Sequence, residues 1–551
     1  MKKLFTLVAL LTIMFSTARA TDVPYTVGST DSSNPSGWWT VFSDYYTISG
    51  NGTYHFEFTN YNFIDELGTY DETTNPSGVG NWNNWLLGIT SDADRGSCTE
   101  YLILRSDNWG WGDNYNENAR TSYYDWNNFM TYMDGANVIM DVVREGSIVR
   151  ISSYFLKGDT RYYYCYTLTG VPETDDLRCF LFVEKSYINI TKAVWAPRNE
   201  TYTQTIGTTD YTSTYRASLG DKLVMTPGQT INVKFRSFGN AVPANWDNWL
   251  CDYYTASDDA LVTTVRADWW AFEKGTFTDP YKMSTDGGQS YVDVDWEQFA
   301  SDMNDALVDL KLTYESGTLH IEGTATGNVS GKMYRYEYDS PELSGNVYVD
   351  LSTELSWIGL ISQEIYGVNG ANLWVPFSSN NALDLSDLNS AKAYTASYDG
   401  ENTVTFNEVT GTVPANTGLL LKFSSATSTN IPIVASSTTT VSDNCLQSTA
   451  EGTKTVGADE TVYVFGKKGD NEGYYLAAED YVVSAGKSYV LLPASSAAKT
   501  INFVFDNGET TAIKNISECD TQQQTVAKYL ENGRLIINHN GKKYNAVGQS
   551  F

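Results

Sequence analysis

Polar and apolar residues alternate along most of this chain. Thr53 to Phe58 reads Thr-Tyr-His-Phe-Glu-Phe, the two-residue period of a strand with one buried face. Tyr101 to Leu104 is a short apolar strand. Between Val138 and Ser152 two alternating runs flank Arg144-Glu145-Gly146, and between Leu307 and Gly323 two more flank Glu315-Ser316-Gly317. Glycine in a short polar turn between such runs is a hairpin signal. A helical period occurs only at 126–133 and 296–303, where apolar residues fall at i, i+3 and i+7. The pattern predicts an all-β chain.

The pattern also repeats. Asn81-Trp82-Asn83-Asn84-Trp85-Leu86 returns as Asn245-Trp246-Asp247-Asn248-Trp249-Leu250. Leu104 to Trp111 (Leu-Arg-Ser-Asp-Asn-Trp-Gly-Trp) returns as Val265 to Phe272 (Val-Arg-Ala-Asp-Trp-Trp-Ala-Phe). Asp125-Trp126-Asn127-Asn128-Phe129 returns as Asp295-Trp296-Glu297-Gln298-Phe299, and Tyr162, Tyr164 and Tyr166 return as Tyr334, Tyr336 and Tyr338. Order and spacing are kept together, which predicts a tandem duplication. The expected units are two jelly-roll-like β-sandwiches, 21–195 and 196–356. Beyond 356 tryptophan becomes scarce, and Thr, Ser, Val and Gly take over, with strand–turn–strand patterns near 391–406, 413–422, 473–476 and 485–490. These predict a smaller, distinct β domain over 357–510. The tail 511–551 is polar until a short β-hairpin pattern between Asn532 and Asn545. Gly486-Lys487-Ser488 is not a phosphate loop, because the upstream glycine position is Tyr481.

Lys2 and Lys3, the apolar run Leu4 to Phe15, and Ala18-Arg19-Ala20 have every part of a secretory signal over 1–20. No later run is long enough to be a transmembrane segment, so the expectation is a secreted or cell-surface protein. The chain carries 36 basic and 66 acidic residues, a net charge of −30. Such a surface repels nucleic acid and anionic membranes, and suits a neutral ligand, a cation or plain solubility. The 39 Tyr, 22 Phe and 15 Trp favour pleated strands and supply many ring faces. The six cysteines form no CxxC or Cys/His cluster, which argues against zinc. Cys165 and Cys179 are candidates to bridge neighbouring strands.

Three groups of residues carry a resemblance. Val413-Pro414-Ala415-Asn416-Thr417-Gly418 and Ala485-Gly486-Lys487-Ser488-Tyr489 resemble modules that close large exported proteins of gut Bacteroidetes. Asn540-Gly541-Lys542-Lys543-Tyr544-Asn545 resembles the C-terminal tails used there for outer-membrane sorting. The duplicated unit is similar to β-sandwich modules attached to polysaccharide-degrading enzymes. The resemblance implies an exported glycan-handling protein with outer-membrane sorting machinery as a partner.

Sugar recognition needs flat aromatic faces against pyranose C–H groups and a few planar polar groups that bond hydroxyls. Arg105, Asp107, Asn108, Trp109, Trp111 and Asp113 offer these within nine residues, and Arg266, Asp268, Trp269, Trp270 and Phe272 repeat them. The competing reading pairs Arg with Asp and uses the rings as a cap. Trp38 and Trp39 form a second candidate pair, in a loop. The Asn-Trp-x-Asn-Trp blocks fit a core or corner role, and Trp126 and Trp296 a core role. Oxygen-rich turns at Asp92 and Asp94, and at Asp258 and Asp259, fit structural calcium; no other cofactor is called for. Catalysis has little support: His55, His320 and His539 sit in strand contexts without a nucleophile pattern, and Asp107 with Asp113 is the one carboxylate pair to test. The leading expectation is a non-catalytic polysaccharide-binding protein. Its rivals are an adhesive surface protein with a protein partner, and a glycoside hydrolase.

Overall fold

A computed structural model describes residues 23–506, apart from 93–96, 124–125, 158–159, 213–215, 241–246, 258, parts of 269–297, 438, 469–470 and 497–499, together with three strands between 526 and 544. The chain is all-β, built mainly from antiparallel sheets.

In the first repeat a 7-stranded sheet faces a 5-stranded one. The large sheet contains Gly52–Asn62, Ala136–Glu145, Ile148–Lys157, Thr160–Leu168 and Ser186–Pro197. The small sheet contains Trp85–Thr90, Glu100–Arg105 and Leu177–Val183. Alternation decides what lies between them: Tyr54, Phe56 and Phe58 point inward to meet Trp85, Leu87 and Leu181. The second repeat rebuilds this sandwich with Thr230–Phe238, Ala306–Glu315 and Thr318–Gly327 facing Trp249–Thr255 and Val347–Thr353. Trp85 and Trp249 are the matching core tryptophans, each packed edge-on against a phenylalanine, Phe58 at 5.5 Å and Phe235 at 5.6 Å.

The second sandwich runs past the expected boundary at 356. Trp357–Asn369 is hydrogen-bonded along Thr230–Phe238, and its far end pairs with Ser428–Val434. One 12-stranded sheet therefore runs from the second repeat into the C-terminal region. The change of composition was visible in the sequence; that the next strand still belonged to the sandwich was not. The C-terminal region adds a 5-stranded and a 4-stranded sheet, and Val526–Glu531, Arg534–His539 and Lys542–Tyr544 form a 3-stranded one. Among the described residues no helix is long and apolar enough to cross a membrane.

Two local expectations are corrected. Cys165 and Cys179 are both free. Cys165 lies on the large sheet of its repeat, facing outward against Ser152 Oγ at 3.5 Å, while Cys179 lies on the small sheet and faces the core. Trp126 is not a core residue: it is 41 % exposed, in the turn before a short helix that starts only at Phe129. Phe129 and Met133 fill the core place instead.

Candidate functional site

The segment after Glu100–Arg105 turns back on itself. Asn108 has φ 62°, a left-handed conformation that asparagine tolerates better than most residues. The turn is closed by N–H groups of Arg105 and Asn108 donating to carbonyls of Trp109 and Arg105. Asp107 is 3 % exposed and accepts from Arg105 Nε at 3.0 Å and from the Trp109 N–H at 3.3 Å. Asn108 is buried as well, donating to Thr121 O at 3.2 Å. These two side chains hold the loop from inside. The second repeat builds the same frame: Arg266 Nε lies 3.0 Å from Asp268 Oδ1, and both are largely buried. Trp269 and Trp270 lie outside the described residues, as does the side chain of Phe272, whose backbone pairs with Thr264.

The frame pushes rings outward. Trp109 is 47 % exposed, with the Arg120 guanidinium 4.1 Å from its ring centroid. This cation–π contact covers one face of the indole, and nearly half of the residue remains exposed. Arg120 is itself tied to Glu117 O at 2.8 Å. Around the same end, Arg105 lies 6.0 Å from the Trp82 ring, Trp82 packs on Tyr70 at 4.9 Å, and Asn81 Nδ2 donates to Trp126 O at 3.3 Å. Trp109 and Trp126 are thus exposed and Trp82 partly buried, with Arg120 beside the first and Arg105 near the last. The sequence reading gave Trp82 a core or corner role and Trp126 a core role, and did not single out Arg120, which opens the strand Arg120–Tyr123.

Trp111 joins another group. It sits opposite Ile103, and its ring is 4.9 Å from that of Trp38. Trp38 stacks on Trp39 at 5.8 Å, and Trp39 meets the edge of Phe182 at 4.9 Å. The loop carrying Trp38 and Trp39 caps the outer, apolar face of the small sheet, where Leu86, Ile103, Phe180 and Phe182 lie buried. Trp38 stays 41 % exposed at the edge of that cap.

Asp113 is exposed, and its N–H donates to Glu100 O. Asp107 is anchored at the opposite end of Glu100–Arg105, about 17 Å of strand away at the usual rise. That exceeds the roughly 5–10 Å between acid and nucleophile or base in glycoside hydrolysis, so the pair is not a dyad. Asp94 and Asp258 lie outside the described residues; Asp92 is described and Asp259 is ion-paired to Lys222 at 2.5 Å. Among the described residues no three His, Cys, Asp or Glu side chains are grouped to hold a metal ion.

A polar cavity of about 280 Å³ lies where the repeats meet, between the outer face of the first large sheet and the helix Trp296–Met303. His55 Nδ1 is 2.7 Å from Asp141 Oδ1, and Nε2 is 3.0 Å from Glu57 Oε1. Burial opposes a charge on His55, but the Asp141 carboxylate and the hydrogen bonds to Asp141 and Glu57 outweigh it and raise its pKa to about 9. The bond from His55, against opposing burial and with help from Lys192, lowers Glu57 to about 2. Ser301 Oγ donates to Asp141 Oδ2 at 2.5 Å, not to the imidazole. With both ring nitrogens donating and the serine bonded to the carboxylate, neither a free base nor an activated nucleophile results. Nearby, Arg198 reaches Asp305 at 2.7 Å and Glu145 at 2.9 Å, and Thr53 donates to Asp305 at 2.6 Å. This arrangement clamps two modules together. A larger cavity of about 480 Å³, between the second repeat and the C-terminal region, is lined without a single aromatic ring.

Comparison with known proteins finds no matching family model, no matching curated protein and no matching solved structure.

Proposed function

We propose that this chain is an exported, non-catalytic polysaccharide-binding protein that holds a neutral glycan on the aromatic rim of its first sandwich. One observation carries the reading: Trp109 stands half-exposed while Arg120 rests against its ring. A ring held at no further entropic cost is suited to the C–H face of a pyranose, and the two guanidinium groups beside it suit paired hydroxyls. Trp82 and Trp126 extend the surface to more than one sugar unit. The signal at 1–20 would export the chain, and the tail at 511–551 is the part that outer-membrane sorting machinery would read. The −30 charge fits a neutral rather than an anionic glycan.

Electrophoresis of the mature chain through gels containing neutral polysaccharides tests the reading. The expected result is retardation by at least one, weakened about tenfold by Trp109→Ala, as loss of a stacked ring implies. Equal retardation of the variant and the parent overturns the placement of the site. A second reading, adhesion to another protein, draws on Trp38 and Val41 exposed together beside the apolar cap. It predicts that Trp38→Ala abolishes adhesion while no polysaccharide retards the chain.

A further inference from the structure

The duplication presents one surface twice, and among the described residues only one copy is covered. Asn60 donates to Asn84 Oδ1 and Met133 O, while Ser237 donates to Asn248 Oδ1 and Met303 O, which makes Asn60 and Ser237 equivalent. Counting back along each strand pairs His55 with Asn232. The cross-strand register then matches His55, Asp141, Ser152 and Cys165 with Asn232, Lys311, Glu322 and Glu337. In the first repeat this row is closed by the second: Ser301 bonds Asp141, Asn304 bonds Ser152, and Asn240 O meets Cys165. In the second repeat the same row lies open as a groove of about 430 Å³. Tyr366, 46 % exposed, stands at its side.

We propose that this open face of the second repeat is a further binding site for a neutral glycan chain. The inference rests on the glycan-binding reading and adds a site to it. Three features of the groove select the ligand. Tyr366 offers a flat ring, with Lys311 Nζ 5.9 Å from its centroid. Donors and acceptors alternate: Lys311 bonds Glu322 at 2.6 Å and Arg335 bonds Glu337 at 2.5 Å, with Asn232 and Asp309 alongside. A hydroxyl both donates and accepts, so a polyol fits such a lattice better than an ion does. Charge is nearly balanced here, on a chain of net −30, so the groove draws neither anions nor cations strongly. A peptide is disfavoured, because the strands Ala306–Glu315 and Thr318–Gly327 are paired on both edges and leave no backbone groups to extend. The volume lies within the usual size of small-ligand clefts, about 300–1,000 Å³. Two modest sites on one chain would hold a polymer more tightly than either alone.

The test uses the mature full-length chain and a soluble β-glucan, a galactomannan and an arabinoxylan, with affinity measured by retardation and by calorimetry. Tyr366→Ala is expected to weaken binding threefold to tenfold, and Tyr366→Phe to preserve it. In a Trp109→Ala background, Tyr366→Ala is expected to remove the binding that remains. If Trp109→Ala weakens binding and Tyr366→Ala does not, in either background, the site on the second repeat is overturned while the rim stands. If Tyr366→Ala alone weakens binding, the groove is supported and the rim is overturned. If no polysaccharide binds the parent chain, both sites fall.

Discussion

Asp107 and Trp109 are two residues apart and do opposite work. Asp107 is buried and joined to Arg105, while Trp109 is held out into solvent by the turn that this pair stabilises. Removing Asp107 leaves the Arg105 guanidinium without its counter-charge, whereas removing Trp109 costs little packing. Asp107→Ala is therefore expected to lower stability by about 2–4 kcal/mol, and Trp109→Ala by less than about 1 kcal/mol. Chemical denaturation of both variants checks this, and equal losses would show that the two residues belong to one packed unit. Here the sequence was half legible. The cluster of Arg, Asp, Asn and Trp was visible, but burial separated its members: Asp107 and Asn108 turned inward, Trp109 and Asp113 outward, and Trp111 into the apolar cap. Trp126 was misread because its i, i+3, i+7 spacing matches a helical face, although the helix begins three residues later. Arg120 carried no sequence signal, since nothing in its strand announces that its guanidinium lies on Trp109.

At the scale of elements, duplication gave the same strands to both repeats and left their outer faces free to diverge. On the small sheet of the first repeat, Phe180 lies over Gly88, beneath the loop of Trp39 and Phe42. The register places Asp350 opposite Asp252 at the same positions of the second repeat, where Arg216, Thr264 and Ser352 bond Asp252. An aromatic plug in one copy is an ionic plug in the other. Strand alternation made the inward faces readable. The outward faces were not, because their burial depends on which module docks there. His55 shows the difference: an outward histidine on a strand reads as exposed until the second repeat covers it. Its pKa, raised from 6.5 to about 9, makes its contribution complete below pH 6.5 and lost as pH rises through 9. Asp302, whose burial outweighs hydrogen bonds from Tyr334, Ser330 and Gln298, is raised to about 6, so its contribution is lost earlier, as pH rises through 6. Both act in the same direction. Melting temperature is expected to fall between pH 6.5 and 9.5 in the parent chain and to vary less in His55→Gln. Parallel curves for the two would remove His55 from the clamp.

At the scale of the molecule, the modules form a continuous body rather than beads on linkers. The first repeat is clamped to the second through the Arg198–Asp305 pair and the Ser301–Asp141 bond, with His55 holding Asp141 from behind, and the second shares a sheet with the C-terminal region. Fixed geometry matters for a polymer ligand, because two sites add avidity only when both can be engaged at once. Trp109 at the rim of the first sandwich and Tyr366 at the groove of the second are about equally exposed, and the placement of the main site stands or falls with Trp109. The most direct measurement is hydroxyl-radical footprinting of the mature chain, free and saturated with a retarding polysaccharide, read out by mass spectrometry. Trp109 is expected to be labelled in the free protein and protected in the bound one, with Trp85 unlabelled in both. Equal labelling of Trp109 with and without the polysaccharide would contradict glycan binding at the rim.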